Sequence, residues 1–144
     1  LRAGMLTDQE FTAARAIASW NTAHGSVLHQ ITEACGAVSE SCAQALATPS
    51  ADNYAAVRAA GAELEAVATA ALQGPWAGVT EYDDPRQRGL QCYREAGELA
   101  AVFDPTDEKD ARGEGAAALI FKGTQITSQA TTYARDLLTK VQDN

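Results

Sequence analysis

The sequence contains few of the residues, and none of the short motifs, on which enzyme active sites are commonly built. Its 144 residues include only two histidines and three cysteines. It has no G-x-S-x-G elbow, C-x-x-C pair or phosphate-binding loop, and it lacks the Glu-x-x-His repeats of di-iron bundles. The acidic clusters at 81–84 and 104–110 do not follow the spacing of a calcium loop. We therefore expect a protein that is not an enzyme and that uses neither a metal nor a cofactor.

Basic residues and long apolar runs are also scarce. Eleven Lys and Arg residues stand against 19 Asp and Glu, which gives a net charge of −8 and a pI of about 4.6. A negative field of this kind repels phosphate backbones and anionic membrane surfaces. No apolar run approaches the roughly 18 residues of a membrane-spanning helix. We therefore expect neither a nucleic-acid partner nor insertion into a membrane.

What the chain does contain is the composition and punctuation of long helices. Alanine is abundant and β-branched residues are sparse, which favours helix. Thr7 and Glu10 have the spacing of a capping box, Pro49 and Ser50 separate two periodic segments, and Asp84 with Pro85 resembles a helix start. The pattern predicts a single all-α domain over residues 1–144, an up-and-down antiparallel four-helix bundle with long first and fourth helices. The expected helices cover 8–47, 51–73, 85–103 and 107–141.

The first eleven residues, "LRAGMLTDQEF", resemble the second half of a SHOCT motif, a short helical module found near the termini of bacterial proteins. The positions that carry the resemblance are Gly4, Leu6, Thr7, Glu10 and Phe11, with Arg15 at a commonly basic position. The rest of the chain resembles small alanine-rich helical proteins that high-GC bacteria export. Since the chain opens at Leu1 and not at a methionine, removal of an export signal would fit, and we favour an extracytoplasmic over a cytoplasmic location.

The cysteines leave two interpretations open. Cys35 and Cys42 lie seven residues apart on the first predicted helix, about 10.5 Å along its axis, which is too far for a disulfide. Cys92, on the third helix, is expected at nearly the height of Cys35. The three thiols are therefore either small buried side chains or include one disulfide between Cys35 and Cys92, provided that the first and third helices approach closely.

The candidate site lies where two uncharged stretches, 16–32 and 123–134, are expected to face each other beside the aromatic connection 74–84. We predict a binding patch of six residues, Trp20, His24, Trp76, Tyr82, Gln129 and Tyr133. The alternative is an uncharged but solvated face. Arg86 and Arg88, near the start of the third helix, either pair locally with Glu81, Asp83 or Asp84, or recognise an acidic partner.

These features favour a non-enzymatic interaction or binding module, and the alternative is a carrier of a small apolar ligand or haem between the helices. The expected partner is another protein, or a second copy of the chain. It would dock on a stem formed by residues 8–23 of the first helix and 125–141 of the fourth. Two helices alone do not cover the apolar side chains of that stem, and the alternative to a partner is that apolar side chains of the 74–84 connection cover one side of it. The apolar side chains of the stem are Phe11, Ile17, Trp20, Tyr133, Leu137, Leu138 and Val141.

Overall fold

The computed structural model describes residues 7–104 and 112–143, and these residues form four helices without any strand. The helices are α1 (Asp8–Ala47), α2 (Ala51–Leu72), α3 (Thr80–Ala101) and α4 (Arg112–Asp143). The all-α prediction is confirmed. No helix within the described ranges combines the length and the apolar character needed to cross a membrane. Residues 1–6 of the SHOCT-like segment, including Gly4 and Leu6, and the predicted start of the fourth helix at 107 lie outside the described residues.

The starts of α1 and α2 follow from their capping residues. The Thr7 hydroxyl accepts a hydrogen bond from the backbone N–H of Glu10, and the Glu10 carboxylate accepts one from the N–H of Thr7, so the predicted capping box is confirmed. The Ser50 hydroxyl likewise accepts from the N–H of Asn53 at the start of α2. These bonds satisfy N–H groups that have no partner within the helix.

The start of α3 differs from the prediction, because the helix begins at Thr80 and not at Pro85. Pro85 is thus the sixth residue of the helix, and Asp84 is not its cap. The carboxylate of Asp83 accepts hydrogen bonds from the backbone N–H groups of Ala77, Gly78 and Val79 at 3.1, 2.7 and 3.0 Å. A side chain inside the helix therefore fixes the preceding chain, which allows the helix to start one turn earlier than the Asp-Pro pair indicates.

Adjacent helices run antiparallel at very short separations. Gly61 of α2 contacts Ala100 of α3, and one turn further along α2, Glu65 lies against Gly97. Gly123 of α4 lies against the Tyr93 ring of α3. α1 packs along α2 and, less extensively, along α4, but hardly contacts α3. These contacts are consistent with the predicted up-and-down order, with α1 and α3 diagonal to one another.

The buried apolar residues form two clusters along the bundle. The core cluster joins all four helices and includes Val38, Val57 and Leu64, which are almost completely buried. The stem cluster joins the first half of α1 to the second half of α4. It consists of Ala14, Ile17, Trp20, Val79, Tyr82, Ala130 and Leu137. Lys140 of α4 and Glu10 of α1 close its far end at 2.6 Å, and the hydrogen bond from Lys140 holds the pKa of Glu10 below its usual value.

The stem is partly covered within one chain by the 74–84 segment, which is the alternative to a docked partner. Val79 and Tyr82, at the start of α3, pack against it, so Ile17, Trp20 and Leu137 are buried without a partner molecule. Among the described stem residues, Phe11 and Leu138 remain about half exposed. The apolar surface available for a second chain is therefore smaller than expected.

The disulfide interpretation is wrong for this structure. Cys35, Cys42 and Cys92 are all free, and none lies within bonding distance of another. The reason is the diagonal placement of α1 and α3, which hardly contact each other. Cys92 is buried and the other two are partly buried, as small core thiols commonly are. Burial raises the pKa of Cys42, and it raises that of Cys35 to about 11.

We therefore expect three free thiols per chain in air-purified protein that is unfolded without reductant. In the native protein Cys35 should react with iodoacetamide much more slowly than an exposed cysteine, because the thiolate is the reactive form and its population is small at neutral pH. Thiol titration and mass spectrometry measure both properties. A single free thiol after unfolding would contradict the separation of α1 from α3 described above.

Candidate functional site

The most unusual side chain in the structure is Arg86, a buried cation in the second turn of α3. It is 6% exposed, and its guanidinium carbon lies 4.4 Å from the centre of the Trp20 ring and 5.4 Å from that of Tyr82. Its Nη1 donates a hydrogen bond to the Tyr82 hydroxyl at 3.3 Å. Trp20 and Tyr82 contact each other edge to face, with ring centres 6.0 Å apart. We refer to Trp20, Tyr82 and Arg86 as the Arg86 cluster.

Arg86 has no carboxylate partner among the described residues. Its Nε is fully buried without a hydrogen bond, and no described acidic group lies within ion-pair distance of the guanidinium. The nearby acids have other partners, because Asp83 binds backbone N–H groups and Asp84 pairs with Arg88 at 2.9 Å. Local pairing is thus confirmed for Arg88 and wrong for Arg86.

The energetic balance at Arg86 is unfavourable. Removing an unpaired cation from water costs several kcal/mol, whereas a desolvated cation–π contact contributes about 2 kcal/mol. Stacking on Trp20 and Tyr82 therefore offsets only part of the desolvation cost. A buried cation in this state would gain most from an anion supplied from outside the chain.

The connection between α2 and α3 holds the Arg86 cluster in place. The Trp20 indole N–H donates a 2.7 Å hydrogen bond to the carbonyl of Pro75, and Asp83 fixes the three residues that follow Trp76. The Tyr82 hydroxyl in turn donates to Asn21 at 3.3 Å. The Trp20 and Tyr82 rings, which both contact the guanidinium, are therefore held in place by hydrogen bonds to the connection and to α1.

Two clefts meet at Arg86. The first cleft, of about 430 Å³, lies between α1 and α4 with α3 as its floor. It is lined by Asn21, Leu28, Ile31, Thr32, Tyr82, Arg86, Leu90, Tyr93, Thr127, Ala130, Thr131, Ala134, Arg135 and Leu138. The second cleft, of about 280 Å³, lies between α1, α2 and the connection. It is lined by Trp20, His24, Val27, Gln30, Ala66, Val67, Ala70, Ala71, Gly74, Pro75, Trp76 and Arg86.

The first cleft carries positive charge in an otherwise acidic protein. Its charged lining residues, within the described part of the chain, are Arg86 at the floor and the exposed Arg135 at the rim. Arg135 donates a hydrogen bond to the Thr132 hydroxyl and forms no ion pair with a described carboxylate. The remaining lining residues carry apolar side chains, hydroxyl groups and the amide of Asn21. The cleft thus combines an apolar surface with two unpaired cations.

The structure brings together four of the six predicted patch residues. Trp20, His24 and Trp76 line the second cleft, and Tyr82 lines the first cleft beside Trp20. Gln129 is exposed, lines neither cleft, and accepts a 3.4 Å hydrogen bond from Arg88.

Tyr133 is the sixth predicted residue, and it packs against the stem cluster, away from both clefts. Burial and the nearby charges of Glu81 and Glu10 raise its pKa.

Sequence reasoning missed the lining residues Asn21, Thr127, Thr131 and Arg135. A signal existed on α4, where Thr127, Thr131, Ala134 and Leu138 recur at three-to-four-residue spacing along one side of the helix. The sequence predicts that Arg86 either pairs with a neighbouring acid or recognises an acidic partner, and neither interpretation places it among buried aromatic rings. Its inward orientation depends on where the neighbouring acids turn, which the sequence does not specify.

The two histidines do not form a catalytic or metal-binding arrangement with other described residues. His29 pairs with Glu33 at 2.8 Å on an exposed surface. His24 lies against the Trp20 ring, with ring centres 5.8 Å apart. No group of three or more His, Cys, Asp or Glu side chains within residues 7–104 and 112–143 is placed to hold a metal ion.

The chain has no significant match to a protein-family model, to a curated protein or to a solved structure. The function is therefore inferred from the geometry of the clefts and of Arg86.

Proposed function

We propose that this protein is a non-enzymatic binding module, an up-and-down helical bundle that takes an apolar group into its first cleft. The observation that carries the proposal is the separation of α1 from α4 over the middle of the bundle. Leu28 of α1 and Leu138 of α4, 36% and 50% exposed, both line the resulting cleft. A volume of about 430 Å³ falls within the range of roughly 300–1,000 Å³ typical of small-molecule sites.

The composition of the first cleft supports binding and not chemistry. Its floor includes Leu90 and Ala130, both nearly fully buried, and the Tyr93 hydroxyl lies 3.0 Å from the Thr124 hydroxyl and is thus already hydrogen-bonded. No histidine, cysteine or carboxylate is among the residues that line it. Nucleophilic and acid–base catalysis both need such groups within hydrogen-bond reach of one another. An apolar cleft with polar groups in fixed positions is instead typical of ligand recognition.

The test uses the neutral apolar dye N-phenylnaphthylamine, with octanol as a competitor. We expect saturable binding of one dye per chain, displaced by octanol, because apolar walls of this extent favour removal of an apolar group from water. Thr131→Trp, which places a large side chain at the rim of the first cleft, should weaken dye binding by about tenfold or more. Dye fluorescence in a titration measures the affinity.

Two variants on the outside of the first cleft serve as controls. Ser128→Trp adds the same side chain at an exposed position of α4 that lines neither cleft, and Gln30→Trp fills the second cleft instead. Both should bind the dye as the unmodified protein does. Loss of binding in Gln30→Trp alone, or no binding at all, would refute the proposal.

Light scattering on the same samples tests the homodimer as an occupant of the cleft. A dimer that Thr131→Trp dissociates would show that a second copy of the chain, and not a small molecule, covers the apolar walls. A monomer of about 15 kDa that binds the dye supports the small-ligand form of the proposal.

A further inference from the structure

We propose that the ligand of the first cleft is a small amphiphilic carboxylate, whose carboxylate is bound by Arg86 and whose apolar chain lies between α1 and α4. This inference rests on the proposed function, since it assigns a chemical class to the ligand of the same cleft. Its basis is the position of a 6% exposed, unpaired guanidinium in the lining of an otherwise apolar site.

The state of Arg86 indicates an anionic partner. Buried charges in folded proteins are normally paired with an opposite charge or a full set of hydrogen bonds. The described part of the chain supplies Arg86 with one hydrogen bond, from Nη1 to Tyr82, and leaves its Nε without any. A planar carboxylate matches the donors of a guanidinium geometrically and forms stronger hydrogen bonds than a neutral group does. The carboxylate would supply the partner that Asp83 and Asp84 do not.

The net charge of −8 does not prevent an anion from entering the first cleft. At physiological ionic strength, exposed charges are screened beyond a Debye length of about 8 Å. The described residues that line the cleft include two arginines and no acid, so the charges nearest to an entering anion are positive. Arg135, exposed at the rim, is placed to attract the anion before it reaches Arg86.

The arrangement of the walls specifies an amphiphile and not a small inorganic anion. Arg86 and Tyr82 belong to α3 and lie at the floor of the cleft, while Leu28 and Leu138 extend the apolar walls toward solvent. A ligand that satisfies Arg86 must therefore place its remaining atoms along Leu28, Ala134 and Leu138. A hydrated ion such as phosphate would leave those walls uncovered.

The experiment compares four probes, octanoate, octanol, octylammonium and acetate, by displacement of N-phenylnaphthylamine from the full chain. We expect octanoate to bind about tenfold more tightly than octanol, since one charge-assisted hydrogen-bonded pair distinguishes them. Octylammonium should bind more weakly than octanol, because it brings a second cation to Arg86. Acetate should not compete at comparable concentrations, because it lacks the apolar chain.

Arg86→Gln and Arg88→Gln form a matched pair on α3, one buried in the cleft and one exposed and paired with Asp84. Arg86→Gln should weaken octanoate binding about tenfold and so remove its preference over octanol. Arg88→Gln should retain the full preference for octanoate. A helical circular dichroism spectrum with a cooperative urea transition shows that Arg86→Gln is folded; should it not fold, the comparison of headgroups on the unmodified protein decides alone.

Four results would overturn the inference. Equal binding of octanoate and octanol, both blocked by Thr131→Trp, would support the proposed function but show that the cleft does not select a carboxylate. Competition by acetate as strong as that by octanoate would exclude an amphiphile. Loss of headgroup preference in Arg135→Gln but not in Arg86→Gln would place the anion at the rim. No binding of any probe would refute both proposals together.

Discussion

Replacing Gly97 with alanine is expected to destabilise the protein by about 2–4 kcal/mol, although alanine is the better helix former. A Cβ atom at this position would lie 2.7 Å from the carbonyl oxygen of Gly61 and 2.9 Å from the Cα of Glu65. Both are backbone atoms of α2, so no side-chain rotation relieves the overlap, and the two helices must move apart. Their separation would loosen the contacts of fully buried residues such as Leu64 and Ala96.

The matched control is Gly36→Ala on α1, where a Cβ atom would meet nothing within 4 Å. The same substitution should there stabilise the protein by about 0.5–1 kcal/mol, because it removes backbone freedom from the unfolded chain without a steric cost. Urea unfolding followed by circular dichroism measures both free energies. If Gly97→Ala were as stable as Gly36→Ala, α2 and α3 would not be in contact at this level of the bundle.

The parts of the fold that the sequence predicts are those governed by local interactions. Thr7 with Glu10 and the Pro49–Ser50 turn contain their own capping groups, and α1 and α2 begin where those groups indicate. The start of α3 could not be predicted in the same way. The Asp-Pro pair has the form of a helix start, but Asp83 bonds backwards to three residues of the connection. That choice depends on the tertiary placement of the connection over Trp20.

The candidate site was predictable only in its general location. Of the six predicted patch residues, Trp20, His24, Trp76 and Tyr82 lie together and line the two clefts. The unpaired state of Arg86 could not be predicted from the sequence, because an arginine near Glu81, Asp83 and Asp84 is expected to pair with one of them. Arg86 is left unpaired because Asp83 accepts hydrogen bonds from the connection and Asp84 forms an ion pair with Arg88. Such competition between partners is resolved only in three dimensions.

Replacing Asp83 with alanine should be the second strongly destabilising change, at about 3–4 kcal/mol. Asp83 is 8% exposed, and its carboxylate accepts the N–H groups of Ala77, Gly78 and Val79, each of which would lose this partner. The bond from Val79 is buried and the other two are partly buried. The stability of Asp83→Asn should lie between that of the unmodified protein and that of Asp83→Ala, because an amide presents one acceptor oxygen where the carboxylate presents two. Urea unfolding of the three proteins measures this order.

Asp84→Ala is the matched control for Asp83→Ala, since it removes the adjacent carboxylate from the same turn of α3. Asp84 is exposed and paired with Arg88, and surface ion pairs contribute about 0–1 kcal/mol, so this variant should unfold almost as the unmodified protein does.

The Asp83→Ala and Asp84→Ala variants should differ at the site as well. In Asp83→Ala the freed connection should release the Pro75 carbonyl from the Trp20 indole and expose Trp20. The fluorescence emission of Trp20 should then shift to longer wavelength. Because Trp20 also stacks on Arg86, the preference for octanoate over octanol should weaken. Equal stability of the two variants would contradict the role of Asp83. A destabilised Asp83→Ala that keeps the full octanoate preference would show that the connection supports the fold without positioning Arg86.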